Sequence, residues 1–217
     1  MEFPVVNHPD YEAKIGDDHK FPIKKFGELA KYLKKQKIVK EFHVPKECSF
    51  DTLTRVHSMD YVNKVKNKTL ETEKVKKIGF PLVDSVVRRS LVATGGTVLA
   101  SKLALNFGIA CNTAGGSHHA SYDEGAGFCV FNDVAVGAKY LTSRGLAQKI
   151  LIVDLDVHQG NGNSEIFKEN RSVFTFSMHS KTNYPAKKSN SDLDVELEDN
   201  LEDGAYIKTL KHYLNGL

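Results

Sequence analysis

The stretch ILIVDLDVHQGNG (150–162) decides the fold class and marks a site. Its first five residues, 150–154, begin with four continuous apolar residues rich in β-branched side chains, which predicts a strand that is buried on both faces of a parallel sheet. Polar residues and two glycines follow at once. Because glycine has no side chain, the backbone of such a turn can pass close to a ligand.

Within this stretch, Asp154, Asp156 and His158 form the pattern D-x-D-x-H. If the strand continues as far as His158, alternation places the three side chains on the same side. Two carboxylates and an imidazole suit a divalent metal such as zinc or iron. The alternative is an acidic strand end that binds water or caps the next helix.

Further strand and helix patterns alternate along the chain, which predicts an α/β layer fold with a parallel sheet. Short strands are expected at 5–6, 42–44, 109–111 and 173–178. Helices are expected at 24–37, 51–66 (with Asp51 as N-cap), 84–106 (interrupted at Gly95–Gly96, which we expect to serve packing), 132–144 (capped by Asn132) and 203–214. Polar stretches at 112–133, 154–163 and 179–185 each follow a strand, where ligands of such folds bind.

The first of these polar stretches contains the adjacent pair His118 and His119 in a glycine-flanked loop. A neutral imidazole can take a proton from a metal-bound water, and a buried carboxylate such as Asp154 could orient one ring. The alternative is a surface loop whose histidines bond only to the backbone. Together, the two segments predict a metal-activated water that attacks a carbonyl, with histidine as the base.

Composition limits the remaining possibilities. The 217 residues, 41% hydrophobic and 26% charged, suit one globular domain. Three cysteines without a CxxC pattern favour a reducing cytoplasm, and we expect Cys129 to be packed rather than reactive. No apolar run is long enough to cross a bilayer. Residues 1–77 hold 17 Lys and Arg against 12 Asp and Glu, but Arg clusters and Trp are lacking, so a solvated helix face is favoured over a nucleic-acid surface.

The motifs GGSHHAS (115–121), GAGFCVFND (125–133) and VDLDVHQGNG (153–162) resemble the zinc-dependent histone deacetylase family, which shares its fold with arginase. The similarity runs through nearly the whole chain and includes HKFPIKKF (19–26) and ATGGTVLASKLAL (93–105). HQGNG and NYP (183–185) look closest to the class IV branch and its bacterial relatives. The resemblance implies a three-layer fold with a central parallel sheet.

The resemblance also implies residue roles. Asp156 and His158 would be two of three zinc ligands, with Fe²⁺ as an alternative metal. His119 would be the general base, with Asn161 at the position of its partner, and His118 would be backed by Asp154. Gly127 would offer its carbonyl to the substrate amide. Phe128 and Tyr184 would line the acyl-lysine channel, and a structural K⁺ would use the Asp154 side chain with Ser177 and Met178.

Two elements of the family pattern do not occur in these 217 residues. They are the third zinc ligand, an Asp in a later Gly-rich motif, and the carbonyl-polarising Tyr of a still later one. We therefore expect residues 1–217 to be the N-terminal portion of a single deacetylase domain, with an incomplete fold. Because the strands of the remaining part would join its two halves, the sheet should be divided, its edges exposed, and the isolated portion unstable.

The predicted function is metal-dependent hydrolysis of the amide of acyl-lysine in a protein. One alternative is a catalytically incomplete fragment that acts only as a binding protein. Another is an amidohydrolase of small amines, such as an acetylpolyamine deacetylase, for which Asp123 and Glu124 are the acidic candidates at the pocket rim. The sequence leaves the acyl length and the oligomeric state open.

Overall fold

The structure, a computed structural model, describes residues 3–217 and contains parallel strands with helices between them. The strands are β1 (Val5–Val6), β2 (Cys111–Asn112), β3 (Ile150–Asp154), β4 (Val173–Ser180) and β5 (Leu193–Leu197). The helices are α1 (Lys25–Lys35), α2 (Phe50–Leu53), α3 (Met59–Asn67), α4 (Thr72–Ile78), α5 (Asp84–Phe107), α6 (Asp133–Ser143), α7 (Asn161–Phe167) and α8 (Asp203–Leu214). This alternation confirms the expected α/β class.

The strands form two separate parallel sheets. In one, β1 pairs with β2, and in the other the order is β3-β4-β5. The register of the second sheet places Asp154 beside Ser177 at its carboxyl end. The strand expected at 42–44 is reduced to a single bridge between His43 and Val6. Both sheets deliver their loops to one region, where the candidate site lies.

Helix α5 runs without a break through Gly95 and Gly96, so the predicted interruption is wrong. The packing role is confirmed. A Cβ at Gly95 would lie 2.0 Å from the Lys46 carbonyl oxygen, and one at Gly96 would lie 2.1 Å from the Tyr11 hydroxyl. Two glycines therefore let the neighbouring segments approach the helix axis, and the main core forms around α5 and α6.

The single helix expected at 51–66 is two helices, α2 and α3. Each has its own serine cap: Ser49 accepts from the Thr52 N–H, and Ser58 accepts from the Tyr61 N–H. Asp51 is therefore not the N-cap and instead pairs with Arg55. Because Ser58 caps a new helix, the amphipathic pattern that predicted one helix at 51–66 is divided between α2 and α3.

Three elements lie outside the predicted pattern, namely α4, α7 and β5. Strand β5 lies within the acidic stretch from Asp192 to Asp203, and its Val195 is nevertheless buried against β4. Lysines of α1 are exposed, as predicted for a solvated face. Within residues 3–217, no helix has the length and apolarity that a bilayer crossing requires.

Candidate active site

The site forms where the loop after β2 meets the carboxyl end of β3. His118 and His119 are buried in that loop, with ring centroids 4.1 Å apart. They line a cavity of about 440 Å³ together with Asp156, His158 and Tyr184. Residues from three polar stretches, far apart in sequence, thus share one concave surface, as the sequence predicts.

His118 is paired with a carboxylate. Its Nδ1 lies 2.6 Å from Asp154 Oδ2. Burial disfavours the charged ring, but the hydrogen bond and the negative charge of Asp154 outweigh it, so the pKa of His118 is raised. Asn163 adds a contact of 3.4 Å to the same carboxylate oxygen.

His119 is paired with a neutral amide. Its Nδ1 lies 2.7 Å from Asn161 Oδ1, so the ring donates there and its Nε2 keeps a lone pair. Burial, followed by the neighbouring charge of His118, lowers the pKa of His119 to about 4. The two contacts are the pairs that the resemblance predicts, and they give adjacent rings opposite shifts in pKa.

Asp156 and His158 lie beyond the end of β3, which stops at Asp154. Strand alternation therefore does not place them. The backbone bends instead: the Asp156 N–H donates to Asp154 Oδ1 at 3.1 Å, and the His158 N–H donates to Asp156 Oδ1 at 2.8 Å. These two local bonds turn the chain so that both side chains still reach the cavity.

Asp156 and His158 are residues of the types that bind zinc. Asp156 Oδ1 and His158 Nδ1 are 3.1 Å apart, and His118 Nε2 is 3.8 Å from the same Asp156 oxygen. A carboxylate oxygen and an imidazole nitrogen are usual zinc ligands. Within residues 3–217, no three acidic, histidine or cysteine side chains converge closely enough to hold a metal. These residues thus supply two donors.

Asp133 holds the histidine loop, although the sequence pattern does not single it out. It is buried at the start of α6 and accepts from the Gly116 N–H at 3.2 Å and the Ser117 N–H at 2.7 Å. Thr97 of α5 donates to the same carboxylate at 2.5 Å. Its position at the end of GAGFCVFND, next to the capping Asn132, is the only signal the sequence offers.

Aromatic rings flank the cavity. Tyr184 meets His119 edge-on at 4.8 Å between ring centroids, and the Tyr184–Pro185 peptide is cis. Phe128 has a φ of 66°, an unusual conformation for a bulky residue. At Gly127, φ is 53° and a Cβ would lie 2.6 Å from the His119 ring, so glycine is required there.

The residues expected at the potassium site are also adjacent. The sheet register pairs Asp154 with Ser177, and Met178 follows in β4. A Cβ at Gly160 would lie 2.2 Å from Asp154 Oδ2, so the Gly-rich turn packs closely on this carboxylate. Cys129 is buried, and burial raises the pKa of its thiol to about 12, which confirms a packed rather than a reactive cysteine.

Known proteins resemble the chain in sequence and in fold. Residues 19–217 match the histone deacetylase domain. An uncharacterised protein of Picosynechococcus sp. is 46% identical over all of this chain and 73% of its own length. Histone deacetylase 2 of Arabidopsis thaliana is 33% identical over 77% of this chain and 45% of its own.

Among solved structures, the HDAC homolog from Aquifex aeolicus superposes with a TM-score of 0.85 and is 25% identical; the match covers 99% of this chain and 64% of that one. The chain thus spans about two thirds of that structure and under half of the Arabidopsis protein. The domain match over most of the chain, the shared fold and the paired site histidines lead to one conclusion: the chain belongs to the histone deacetylase family.

Proposed function

We propose that the whole protein hydrolyses the amide of acyl-lysine side chains, with His119 as general base. The observation that carries this proposal is the pair of contacts His119–Asn161 and His118–Asp154 in one cavity. An unprotonated imidazole next to a histidine whose pKa is raised by a carboxylate is an arrangement that suits proton transfer to and from a water. The motifs HQGNG and NYP favour the class IV branch, and the free thiols of Cys48, Cys111 and Cys129 favour a reducing cytoplasm.

In this mechanism the lysine stem lies between Phe128 and Tyr184, which bury its methylene groups. The carbonyl of Gly127, held by a tight turn beside His119, accepts the substrate amide N–H. His119 Nε2 takes the proton of the attacking water, while Asn161 fixes the ring through Nδ1. His118, held by Asp154, stabilises the negative charge that develops near it.

Asp156 and His158 would hold zinc, or alternatively Fe²⁺. When bound there, the metal would acidify a water and polarise the substrate carbonyl. The two side chains match that role in donor type. Asp154 and Ser177, paired across β3 and β4, would hold K⁺ together with the backbone at Met178.

A small acylated amine is a less favoured substrate. The acidic rim needed to bind a polyamine would come from Asp123 and Glu124. Glu124, however, forms an ion pair with Lys77, and the Lys74 ammonium contacts the Asp123 carbonyl. The charge of Glu124 is therefore paired, and a second lysine lies close to Asp123, which favours a peptide substrate.

The test is hydrolysis of Nε-acyl-lysine peptides by the product of the complete gene. We expect turnover that a chelator abolishes and zinc restores. The variant His119→Gln should lose at least 100-fold in kcat, since general-base catalysis contributes roughly 10²–10⁴-fold. His43→Gln, at an exposed histidine outside the cavity, is the matched control and should retain wild-type turnover.

Absence of turnover by the complete product would overturn the proposal and favour a binding protein. Faster hydrolysis of acetylpolyamines than of peptides would move the substrate to the small-amine class. If His119→Gln and His43→Gln lose kcat to the same extent, the assignment of His119 as general base is wrong.

A further inference from the structure

Arg89 is a buried cation that the mechanism above does not use. Its side chain in α5 is 7% exposed, and its Nε donates to the Tyr11 carbonyl at 3.0 Å. The guanidinium lies 4.8 Å from the ring centroid of Phe26 and 5.6 Å from that of Phe80. Aromatic faces stabilise a cation but do not neutralise it.

No carboxylate among residues 3–217 forms an ion pair with Arg89. Its neighbour Arg88 differs in this respect, because it pairs with both Asp10 and Glu47 at the surface. Asp133 acts on Arg89 electrostatically. The Asp133 oxygens, however, already accept from Gly116, Ser117 and Thr97. Within residues 3–217, the guanidinium thus has no carboxylate at ion-pair distance.

Arg89 lines the same cavity as His118 and His119. Lys25 lines it too, with its ammonium 4.8 Å from the ring centroid of Phe21. Tyr184 is 40% exposed, and Lys25 is exposed as well. A lysine that enters past the exposed Tyr184 would carry its acyl group inward, towards the buried Arg89.

A buried charge without a partner is costly, and a guanidinium binds a carboxylate best because two parallel N–H donors match its two oxygens. We propose that Arg89, assisted by Lys25, forms a carboxylate subsite that takes the terminal carboxylate of a dicarboxylic acyl group on lysine, as in glutaryl-lysine. The inference rests on the proposed deacylase function and names its substrate class.

The binding test compares peptides that carry Nε-glutaryl-lysine and Nε-pentanoyl-lysine, which have equal chain length and differ in the terminal carboxylate. Thermal unfolding of the complete gene product is followed with each peptide, because a ligand that binds only the folded state raises Tm. We expect the glutaryl peptide to raise Tm more than the pentanoyl peptide. Arg89→Met should abolish this difference, and Arg88→Met should keep it.

Methionine fills a similar volume among Phe21, Phe26 and Phe80, so Arg89→Met should remain folded, and its Tm without peptide checks this. Free acetate provides a further arm. If acetate raises Tm as much as the glutaryl peptide in an Arg89-dependent manner, the subsite belongs to a free monocarboxylate, and the dicarboxylic assignment is overturned. Equal Tm shifts by the two peptides overturn it as well.

Turnover gives an independent measure. The ratio of kcat/KM for glutaryl to pentanoyl peptide should fall about 10- to 100-fold in Arg89→Met, the size of a lost charge-assisted interaction. A ratio unchanged by Arg89→Met contradicts the subsite. If neither peptide is hydrolysed by the wild type while the glutaryl peptide still binds through Arg89, the deacylase proposal fails and the subsite stands.

Discussion

At the scale of residues, the identity of the hydrogen-bond partner determines the chemistry of each histidine. His118 faces a carboxylate and His119 an amide, and their pKa values move in opposite directions. A third histidine, His57, has a structural role. It is fully buried, its Nδ1 donates to the Ser121 carbonyl at 2.8 Å, and its Nε2 accepts from the Asn132 N–H at 2.9 Å.

The buried position of His57 predicts a loss of stability in acid. Burial lowers its pKa from the ordinary 6.5 to about 4, so the unfolded chain takes up the proton at higher pH than the folded chain. The free energy of unfolding should therefore fall as pH drops from 6.5 towards 4, by about 2 kcal/mol at pH 5 from this group alone. Urea unfolding at pH 7 and pH 5 measures it.

The variant His57→Gln isolates this contribution. It should be less stable than the wild type at pH 7, because the ring fills a buried space, yet it should lose about 2 kcal/mol less between the two pH values. His43→Gln, at an exposed histidine, should follow the wild-type dependence. Parallel curves for His57→Gln and wild type would disprove the assignment.

At the scale of elements, two of the helical glycines, Gly95 and Gly204, should respond oppositely to alanine. In α5, a Cβ at Gly95 would lie 2.0 Å from the Lys46 carbonyl oxygen, whereas in α8 a Cβ at Gly204 meets nothing within 4 Å. Gly95→Ala should destabilise by roughly 1–3 kcal/mol or more through overpacking. Gly204→Ala should stabilise by up to about 1 kcal/mol through helix propensity.

Chemical denaturation of the two glycine variants tests this prediction. Both substitutions replace a helical glycine by alanine, so both gain helix propensity. The difference between their free energies of unfolding therefore measures the effect of packing around the added methyl group. A stable Gly95→Ala variant would show that the segment carrying Lys46 can move away from α5.

Elements with a strong periodic pattern were predictable from sequence, and those defined by tertiary contacts were not. The run 150–154 and the helix 203–214 match β3 and α8 residue for residue. Helix α7 begins at Asn161, inside the glycine-rich turn, so its sequence indicates a loop. Strand β5 alternates Leu193, Val195 and Leu197 with acids, and only its pairing with β4 distinguishes it from surface.

Site residues, too, could be predicted only where the sequence contains an unusual motif. The motifs allowed four site residues to be predicted, because unusual residue types cluster there: His118, His119, Asp154 and Asn161. Asp133 and Arg89 were not recognisable, since an acid at a helix start and an arginine within a long helix are common. Their importance lies in what each contacts, which depends on the folded chain.

At the scale of the whole molecule, the division into two sheets leaves β3 at an edge. Its side chains Leu151 and Val153 are 46% and 40% exposed, so the prediction that this strand is buried on both faces is wrong for residues 3–217. Exposed apolar edge strands tend to pair with other chains. We expect this 217-residue chain to self-associate as its concentration rises, measured by light scattering.

The variant Val153→Lys should lower this association several-fold, because a lysine on an edge strand opposes pairing. Val44→Lys is the matched control, since Val44 is 62% exposed but lies outside the strand. Equal effects of the two variants would indicate general surface charge rather than the edge of β3. A chain that remains monomeric at all concentrations would contradict the prediction.

The packing of α8 affects how readily this part of the chain unfolds locally. This helix rests on β4 and β5 through a small cluster around Phe176, Met178 and Val195, separate from the main core. Units with few apolar contacts open locally at lower free energy than the rest of a domain. Amide protons of α8 and β5 should therefore exchange with deuterium before those of α5, and the strand that carries Ser177 links this early-exchanging unit to the Asp154 side of the site.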